Sequence, residues 1–423
     1  MRYYAEMKPT NSPWLGEVPA HWELSRFRYE AVINGGQVDP REEPWNGMTL
    51  IAPNHIESNT GRILSVETAE EQGADSGKYR VEQGQLVYSK IRPALNKAAI
   101  AETEALCSAD MYAMSFADRV EPRFALYYVL ARPFHTFATI ISMRVKMPKV
   151  NREELADAPW LVPPLDEQQA IARYLDRETA RIDTLIEEQQ RLIEILRERR
   201  AAVVDAALAP LSSWTRTTLK HILFGVDQGV SPQAEAGLAD EPGTWGVLKT
   251  GCVNRGVFRQ DEHKRLPSDF TFDPAIAVEV GDVIVSRASG SPNLVGSAAI
   301  VEYLDYQLIL SDKLFRLRPK RLVDPRFLIW GLNSGQYRVQ VRRAISGAEG
   351  LANNLPLSKL RAFEMHHPSL EEQRRIAAHL DEETARIDML IEETARFVEL
   401  ARERRAALIT AAVTGQIDVR EMA

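Results

Sequence analysis

Cysteine is nearly absent: Cys107 and Cys252 are the only two in 423 residues. Two thiols so far apart make no disulfide framework and no paired C-x-x-C metal motif. They read as free, buried thiols in a reducing compartment. Long apolar runs are missing as well. Nothing approaches the roughly 18 residues of a membrane span, and the opening MRYYAEMKPTNSPW lacks the apolar core of a secretory leader. A cytoplasmic protein without membrane contact is the expectation. The usual catalytic signatures are also missing. There is no G-x-x-x-x-G-K-[ST] phosphate loop, no G-x-G-x-x-G after a strand, and no H-E-x-x-H. His366-His367 has no evident third metal ligand. Glu6-Met7-Lys8 looks like the end of a nuclease triad, but no acid precedes it. Pro163-Pro164 follows Val162, not the Asn or Asp of an amino-methyltransferase motif. These absences predict a chain with no catalytic residues, no cofactor and no metal.

Repetition is what the chain has instead. Leu165–Leu208 and Leu370–Val413 align without a gap at an offset of 205, with 27 of 44 positions identical. So long a period is not a solenoid, whose units run to about 20–50 residues. It marks two copies of a larger module, each a globular part followed by one long helix. In the first copy Leu175, Ile182, Gln189, Leu196 and Val203 recur every seven residues, with Leu185 and Leu192 interleaved. In the second, Leu380, Ile387, Thr394, Ala401 and Leu408 recur likewise, with Leu390 and Phe397 between them. Both series predict a coiled-coil seam. Neither segment contains Pro or Gly. Pro163-Pro164 marks one start, and Ser369-x-x-Glu372 predicts a capping box at the other. Helices this long span about 60 Å. Each needs a partner for its apolar stripe, and the other copy has matching length and pattern. Packing of each helix into its own domain is the alternative. An antiparallel pair predicts a pseudo-two-fold dumbbell.

The globular parts are related but more divergent. Val120-Glu121-Pro122-Arg123-Phe124 matches Val323-Asp324-Pro325-Arg326-Phe327, and each precedes an apolar run that predicts a buried helix. Gly84 to Lys90 matches Gly281 to Arg287, a strand ending in a Ser-basic loop. Residues 32–85 find no counterpart between 225 and 280. Short strands with many Gly and Pro breaks predict an α+β class. The predicted divisions are 1–164 and 211–369 for the globular parts, and 165–210 and 370–423 for the helices with the C-terminal tail.

Net charge is −7, weak grounds for a simple nucleic-acid binder. The acid sits largely on the helices, however, and residues 211–369 hold 19 Lys and Arg against 16 Asp and Glu. Local basic patches decide nucleic-acid contact. Arg144, Lys146, Lys149 and Arg152 form one acid-free stretch; Lys313, Arg316, Arg318, Lys320, Arg321 and Arg326 are interrupted only by Asp324. The loop Ser89-Lys90-Ile91-Arg92-Pro93, with Asn96 and Lys97 beyond it, puts cations at a strand end, suited to phosphate and guanine. Counterparts in the second module are Ser286 and Arg287 and, more loosely, Arg342 and Arg343. A solvated turn is the alternative for each, and the Phe315–Arg318 alternation also fits an amphipathic strand with solvated arginines.

Taken in order, these motifs resemble a known family, the specificity subunits of type I restriction–modification systems. Trp14-Leu15-Gly16-Glu17-Val18-Pro19-Ala20-His21-Trp22 resembles that family's opening signature. Ser89-Lys90-Ile91-Arg92-Pro93 with Asn96-Lys97 resembles its mid-domain loop. Pro163-Pro164-Leu165-x-Glu167-Gln168 with Ile171-Ala172 resembles the start of its spacer helix, and Pro368-x-Leu370-x-Glu372-Gln373 with Ile376-Ala377 repeats it. Thr414-Gly415-Gln416-Ile417-Asp418-Val419 resembles its tail. The second module departs at Trp214-Thr215-Arg216, which lacks the Gly-x-Val-Pro-x-x-Trp, and at Ser286-Arg287-Ala288-Ser289-Gly290.

The resemblance implies two target-recognition domains, each reading half of a bipartite site in double-stranded DNA. It implies helices that hold two adenine-methylating modification subunits and, through them, restriction subunits. It also implies a chain that is itself non-catalytic. For two major-groove readers on one face of the duplex, half-site centres lie about 10 bp apart. A coiled-coil scaffold without recognition, or a DNA-binding adaptor of another kind, is the competing expectation.

Overall fold

The computed structural model describes residues 3–33, 35–143, 148–345 and 353–420. Two compact units form: Met1–Gln190 with Ala395–Ala423, and Arg191–Thr394. The long helices are Leu165–Ala207 and Leu370–Val413, and each gives one half to each unit.

The first unit is organised around the strand Leu86–Ser89, buried at all four positions. It lies third in an antiparallel sheet with Ala31–Ile33, Met111–Phe116 and Ala98–Ile100. Successive side chains of a strand point to opposite faces. Leu86 and Tyr88 enter a core with Trp22, Phe124, Phe134 and Trp160, whereas Val87 enters another with Ile51, Ile56 and Cys107. Coverage on both faces is why this stretch reads as an unbroken apolar run. The helix Pro122–Leu130 has Pro at its first position and is capped by Glu121, whose Oε2 accepts from the Phe124 N–H at 2.6 Å.

The second unit repeats this plan. Leu223–Gln228, Leu314–Pro319, Val283–Ser286 and Ala298–Ile300 form the sheet, in that order. Val283 and Val285 face one core and Ile284 another. The plan extends to residues whose sequences do not align. Leu50–Ile51 pairs in parallel with Ala105–Cys107 in one unit, and Trp245–Leu248 with Gln307–Ile309 in the other. One expectation is corrected here. Arg316 is buried, not solvated, because its guanidinium bonds Asp227 (2.8 Å), Asp282 (3.1 Å) and the Ala277 carbonyl (2.8 Å).

Each globular part is fixed to the start of its long helix by the same contacts. Gln168 is fully buried; its amide donates to the Arg119 and Pro163 carbonyls at 2.8 Å and accepts from the Glu121 N–H at 2.9 Å. Gln373 does the same with Leu322, Pro368 and Asp324. A primary amide carries donors and acceptors together, so one side chain satisfies three backbone groups at a buried crossing. Two turns further on, Asp176 accepts from the Tyr127 hydroxyl at 2.8 Å and lies 3.3 Å from Arg123. Asp381 accepts from the Trp330 indole at 2.9 Å and pairs with Arg326 at 3.1 Å.

Within each unit the helix halves run antiparallel. Ile182 and Ile186 pack with Val398 and Ala401, and Asp183 meets Arg405 at 2.8 Å. In the second unit Val204 and Leu208 pack with Ala377 and Leu380, and Arg200 meets Asp388 at 2.8 Å. The seven-residue series keeps its place, with Leu175, Leu196, Leu380 and Ile387 buried, and Ile182 and Leu408 half-buried. The interleaved set is corrected. Leu185, Leu192, Leu390 and Phe397 are 37%, 39%, 49% and 43% exposed. The buried interleaved positions come four residues after the series, not three: Thr179, Ile186, Thr384, Val398 and Arg405. Offsets of three and four lie on opposite flanks of one face. The Leu and Phe flank looked the more apolar, but polar residues on the other flank are satisfied internally. Thr179 and Thr384 donate to the Leu175 and Leu380 carbonyls at 2.7 and 2.6 Å.

The two termini meet at the head of the first helix. Glu167 is buried and gathers the Trp22 indole (2.8 Å), the His21 ring (2.7 Å), the Tyr4 hydroxyl and Arg420 (3.3 Å each). Ile417 and Val419 sit in the same core as Trp22. Its sequence counterpart Glu372 pairs only locally, with Arg375 at 3.1 Å among the contacts described. The opening signature and the tail are thus one structure. Gly415 makes the turn at φ +72°, and a Cβ there would stand 2.2 Å from Pro19 Cδ. Gly415→Ala is expected to cost about 1–3 kcal/mol through the left-handed backbone alone, with the clash added. The readout is a lowered Tm, together with proteolytic release of the tail at lower protease concentrations.

Candidate nucleic-acid interface

Two basic stretches that are far apart in sequence come together in the first unit. The Arg92 N–H donates to the Pro148 carbonyl at 2.8 Å, the Val150 N–H to the Lys90 carbonyl at 2.9 Å, and Ile91 bridges to Lys149. Arg92 holds a left-handed φ of 45° at this turn. Tyr112, on the neighbouring strand, donates its hydroxyl to the Val150 carbonyl at 3.1 Å. Lys90 Nζ lies 5.2 Å from the Tyr112 ring centre, and the Arg152 guanidinium lies 5.7 Å from it. Both are within cation–π range. Burial, and then the charges of Lys149 and Arg152, pull the Lys90 ammonium below the usual lysine range. Arg92, Lys149 and Arg152 are exposed.

Several residues chosen from sequence are turned inward, which corrects their expected roles. Ser89 is buried and donates to the Ile91 carbonyl at 3.0 Å. Asn96 is buried, with its amide donating to Asn59 Oδ1 and the Leu130 carbonyl, both at 2.9 Å. Lys97 donates to the Pro53 carbonyl at 2.6 Å. Ser89 and Asn96 shape the loop from within, and the half-buried Lys97 is tied to it. Arg144 and Lys146 lie outside the described residues.

The second unit places the same parts in the same order. Ser286 is fully buried and donates to the Ala288 carbonyl at 3.2 Å, so it too is a turn residue, not a surface one. The Arg287 N–H donates to the Lys313 carbonyl, and the Leu355 N–H donates to the Arg287 carbonyl, each at 2.8 Å. The Arg287 guanidinium lies 5.8 Å from the Phe315 ring centre and donates to the Asp312 carbonyl at 3.1 Å. Arg342 and Arg343 are exposed in the last turn of the helix Gly335–Ala344. Tyr112, Phe315 and Arg152 went unchosen in the sequence. The aromatics sit inside strands that read as core, and only the cross-strand register brings them under a cation. Arg152 carried a usable signal, as the last member of an acid-free basic stretch.

Among the described residues no cluster of His, Cys, Asp and Glu is suited to hold a metal ion, and no helix is long and apolar enough to cross a membrane. Both cysteines are free and buried; burial pushes the Cys107 thiol up to about 12 and raises Cys252 too.

Comparison with known proteins finds partial likeness to one class. Residues 31–197 match the family model described as the type I restriction modification DNA specificity domain. Part of the chain is similar to the specificity subunits of type I restriction enzymes. It is 36% identical over 219 residues to the type I restriction enzyme EcoDI specificity subunit of Escherichia coli, covering 52% of this chain and 45% of that relative. The match therefore spans less than half of the relative's length. A chain from a structure on complex assembly and conformational transition of the type I R-M system superposes with a TM-score of 0.70, at 19% identity, over 94% of this chain and 99% of its own. The HsdS subunit from Thermoanaerobacter tengcongensis superposes at 0.52, with 20% identity, over 94% and 98%. At these identities the superpositions establish a shared fold.

Proposed function

We propose that this chain is the DNA-recognition subunit of a type I restriction–modification complex. Residues 1–164 and 211–369 each read one half of a bipartite site in double-stranded DNA. The helices 165–210 and 370–423 serve as spacer and as docking surface for two modification subunits, through which restriction subunits attach. The chain itself does no chemistry; methyl transfer and cleavage belong to its partners, in the cytoplasm. One observation carries the reading: a cation rests on an aromatic ring at the end of the same strand in both units, as Lys90 on Tyr112 and Arg287 on Phe315. The two units keep this arrangement while the sequences around it diverge, as two readers of different half-sites would. The exposed flank of Leu185, Leu192, Leu390 and Phe397 supplies apolar surface for helices of a partner.

The test is the pattern of methylated adenines in cells that express the chain with its modification subunits. One bipartite motif with an unread spacer is expected, and footprinting of the purified complex should protect both halves. Methylation or protection without a two-part motif would support the scaffold or another adaptor instead.

A further inference from the structure

The first unit holds three cations closer together than a solvated surface needs. Lys90 and Arg152 both lie over one ring, at 5.2 and 5.7 Å. Lys149 is tied beside them by the Ile91–Lys149 bridge. The Tyr112 hydroxyl is bound to the Val150 carbonyl at 3.1 Å, which locks the ring between the two loops. The backbone bonds from Arg92 to Pro148 and from Val150 to Lys90 hold those loops together. Like charges gathered this way repel one another; burial first, and then Lys149 and Arg152, lower the Lys90 ammonium. The acids near this group are Asp110, Glu153 and Glu154. Of these, Glu154 accepts from the Asn151 N–H through one carboxylate oxygen at 2.9 Å. An anion seated among the three cations would relieve the repulsion.

The matching place in the second unit is built differently. The shared backbone bonds align Lys90 with Arg287 and Val150 with Leu355, and the strand registers align Tyr112 with Phe315. Asn354 then stands where Lys149 does, and Leu357 where Arg152 does. Phe315 has no hydroxyl to lock it. The cation-on-ring pair is common to both units; Lys313 replaces Asp110 in the second, but among the described residues cations at the Lys149 and Arg152 places belong to the first alone.

We propose that Lys90, Lys149 and Arg152, built around Tyr112, form a binding site for a backbone phosphate of duplex DNA, and that the equivalent place in the second unit does not. This rests on the DNA-recognition reading above and assigns these three side chains to sequence-independent grip. Phosphate contacts fix register and orientation but carry no base information. Each one lost removes about 0.9 from the slope of log affinity against log salt.

The experiment uses the full chain assembled with its modification subunits. Binding is titrated from about 50 to 200 mM NaCl, a range over which such slopes are well resolved, on a duplex carrying the methylated motif and on one of random sequence. Lys149→Ala and Arg152→Ala are each expected to flatten the slope by about 0.9 on both duplexes. The preference for the motif should stay at its wild-type ratio. Asn354→Ala should leave the slope unchanged. Wild-type slopes for both Lys149→Ala and Arg152→Ala, in variants whose Tm is unchanged, would overturn the phosphate site. So would a loss confined to the motif duplex, which would make these residues base readers. A wild-type complex that prefers no sequence at all would instead bring down the recognition reading itself.

Discussion

Exchanging residues 27–158 for the corresponding segment of a related protein is expected to rewrite one half of the methylated motif and leave the other half untouched. The crossing points follow from the structure. Glu23–Arg26 pairs antiparallel with Pro159–Val162, and the two strands close the globular part like a drawstring. Cutting just inside them keeps the Glu167 cluster, the docked tail and the head of the first helix native. The contacts that cross the cut are tolerant. Gln168 binds backbone groups of Arg119 and Glu121, which any sequence with the same turn supplies. Asp176 needs an aromatic donor and a cation, and the second unit shows that Trp330 with Arg326 serves where Tyr127 with Arg123 does. Sequencing the methylated bases in cells carrying the exchanged chain gives the answer. A change in both halves would mean that recognition is shared between the units, and the two-reader model would fall.

Asp183→Ala is expected to destabilise the first unit by about 3 kcal/mol, the lower end for removing one partner of a buried ion pair. Asp388→Ala, at the equivalent position of the other helix, is expected to cost at most about 1 kcal/mol. The contrast comes from burial. The Arg405 and Asp183 side chains are 7% and 16% exposed, against 33% and 51% for Arg200 and Asp388. Arg405 also donates to the Asn59 and Thr60 carbonyls at 2.8 and 3.1 Å. Loss of Asp183 therefore leaves a guanidinium held out of water with only neutral acceptors. For a unit of this size the first loss corresponds to a Tm shift of roughly 6–12 °C, readable by calorimetry. Replacing the pair together, Asp183→Leu with Arg405→Met, should recover most of the loss, because well-packed apolar residues often substitute for a buried ion pair. Equal, small effects of Asp183→Ala and Asp388→Ala would show that water reaches both pairs alike.

Much of this molecule is written locally. The long helices, their starts and their seven-residue series follow from a pattern that repeats at an offset of 205, because helical periodicity is a property of neighbouring residues. The strand Leu86–Ser89 and the buried helix Pro122–Leu130 are legible for the same reason, as are their copies in the second unit. So is the resemblance to specificity subunits, which a handful of ordered motifs carry.

Tertiary structure decided what depends on neighbours distant in the chain. Whether Leu185 or Ile186 is buried turns on which flank faces the other helix, and either choice satisfies the same period. A cation at a strand end reads alike whether it meets solvent, a carbonyl or a ring. Packing alone turned Ser89, Asn96 and Ser286 inward and Arg316 into a buried ion network. Cross-strand register alone brought Lys90, Lys149 and Arg152 to Tyr112, since those residues are separated by up to 62 positions and nothing in their local sequence specifies that they meet.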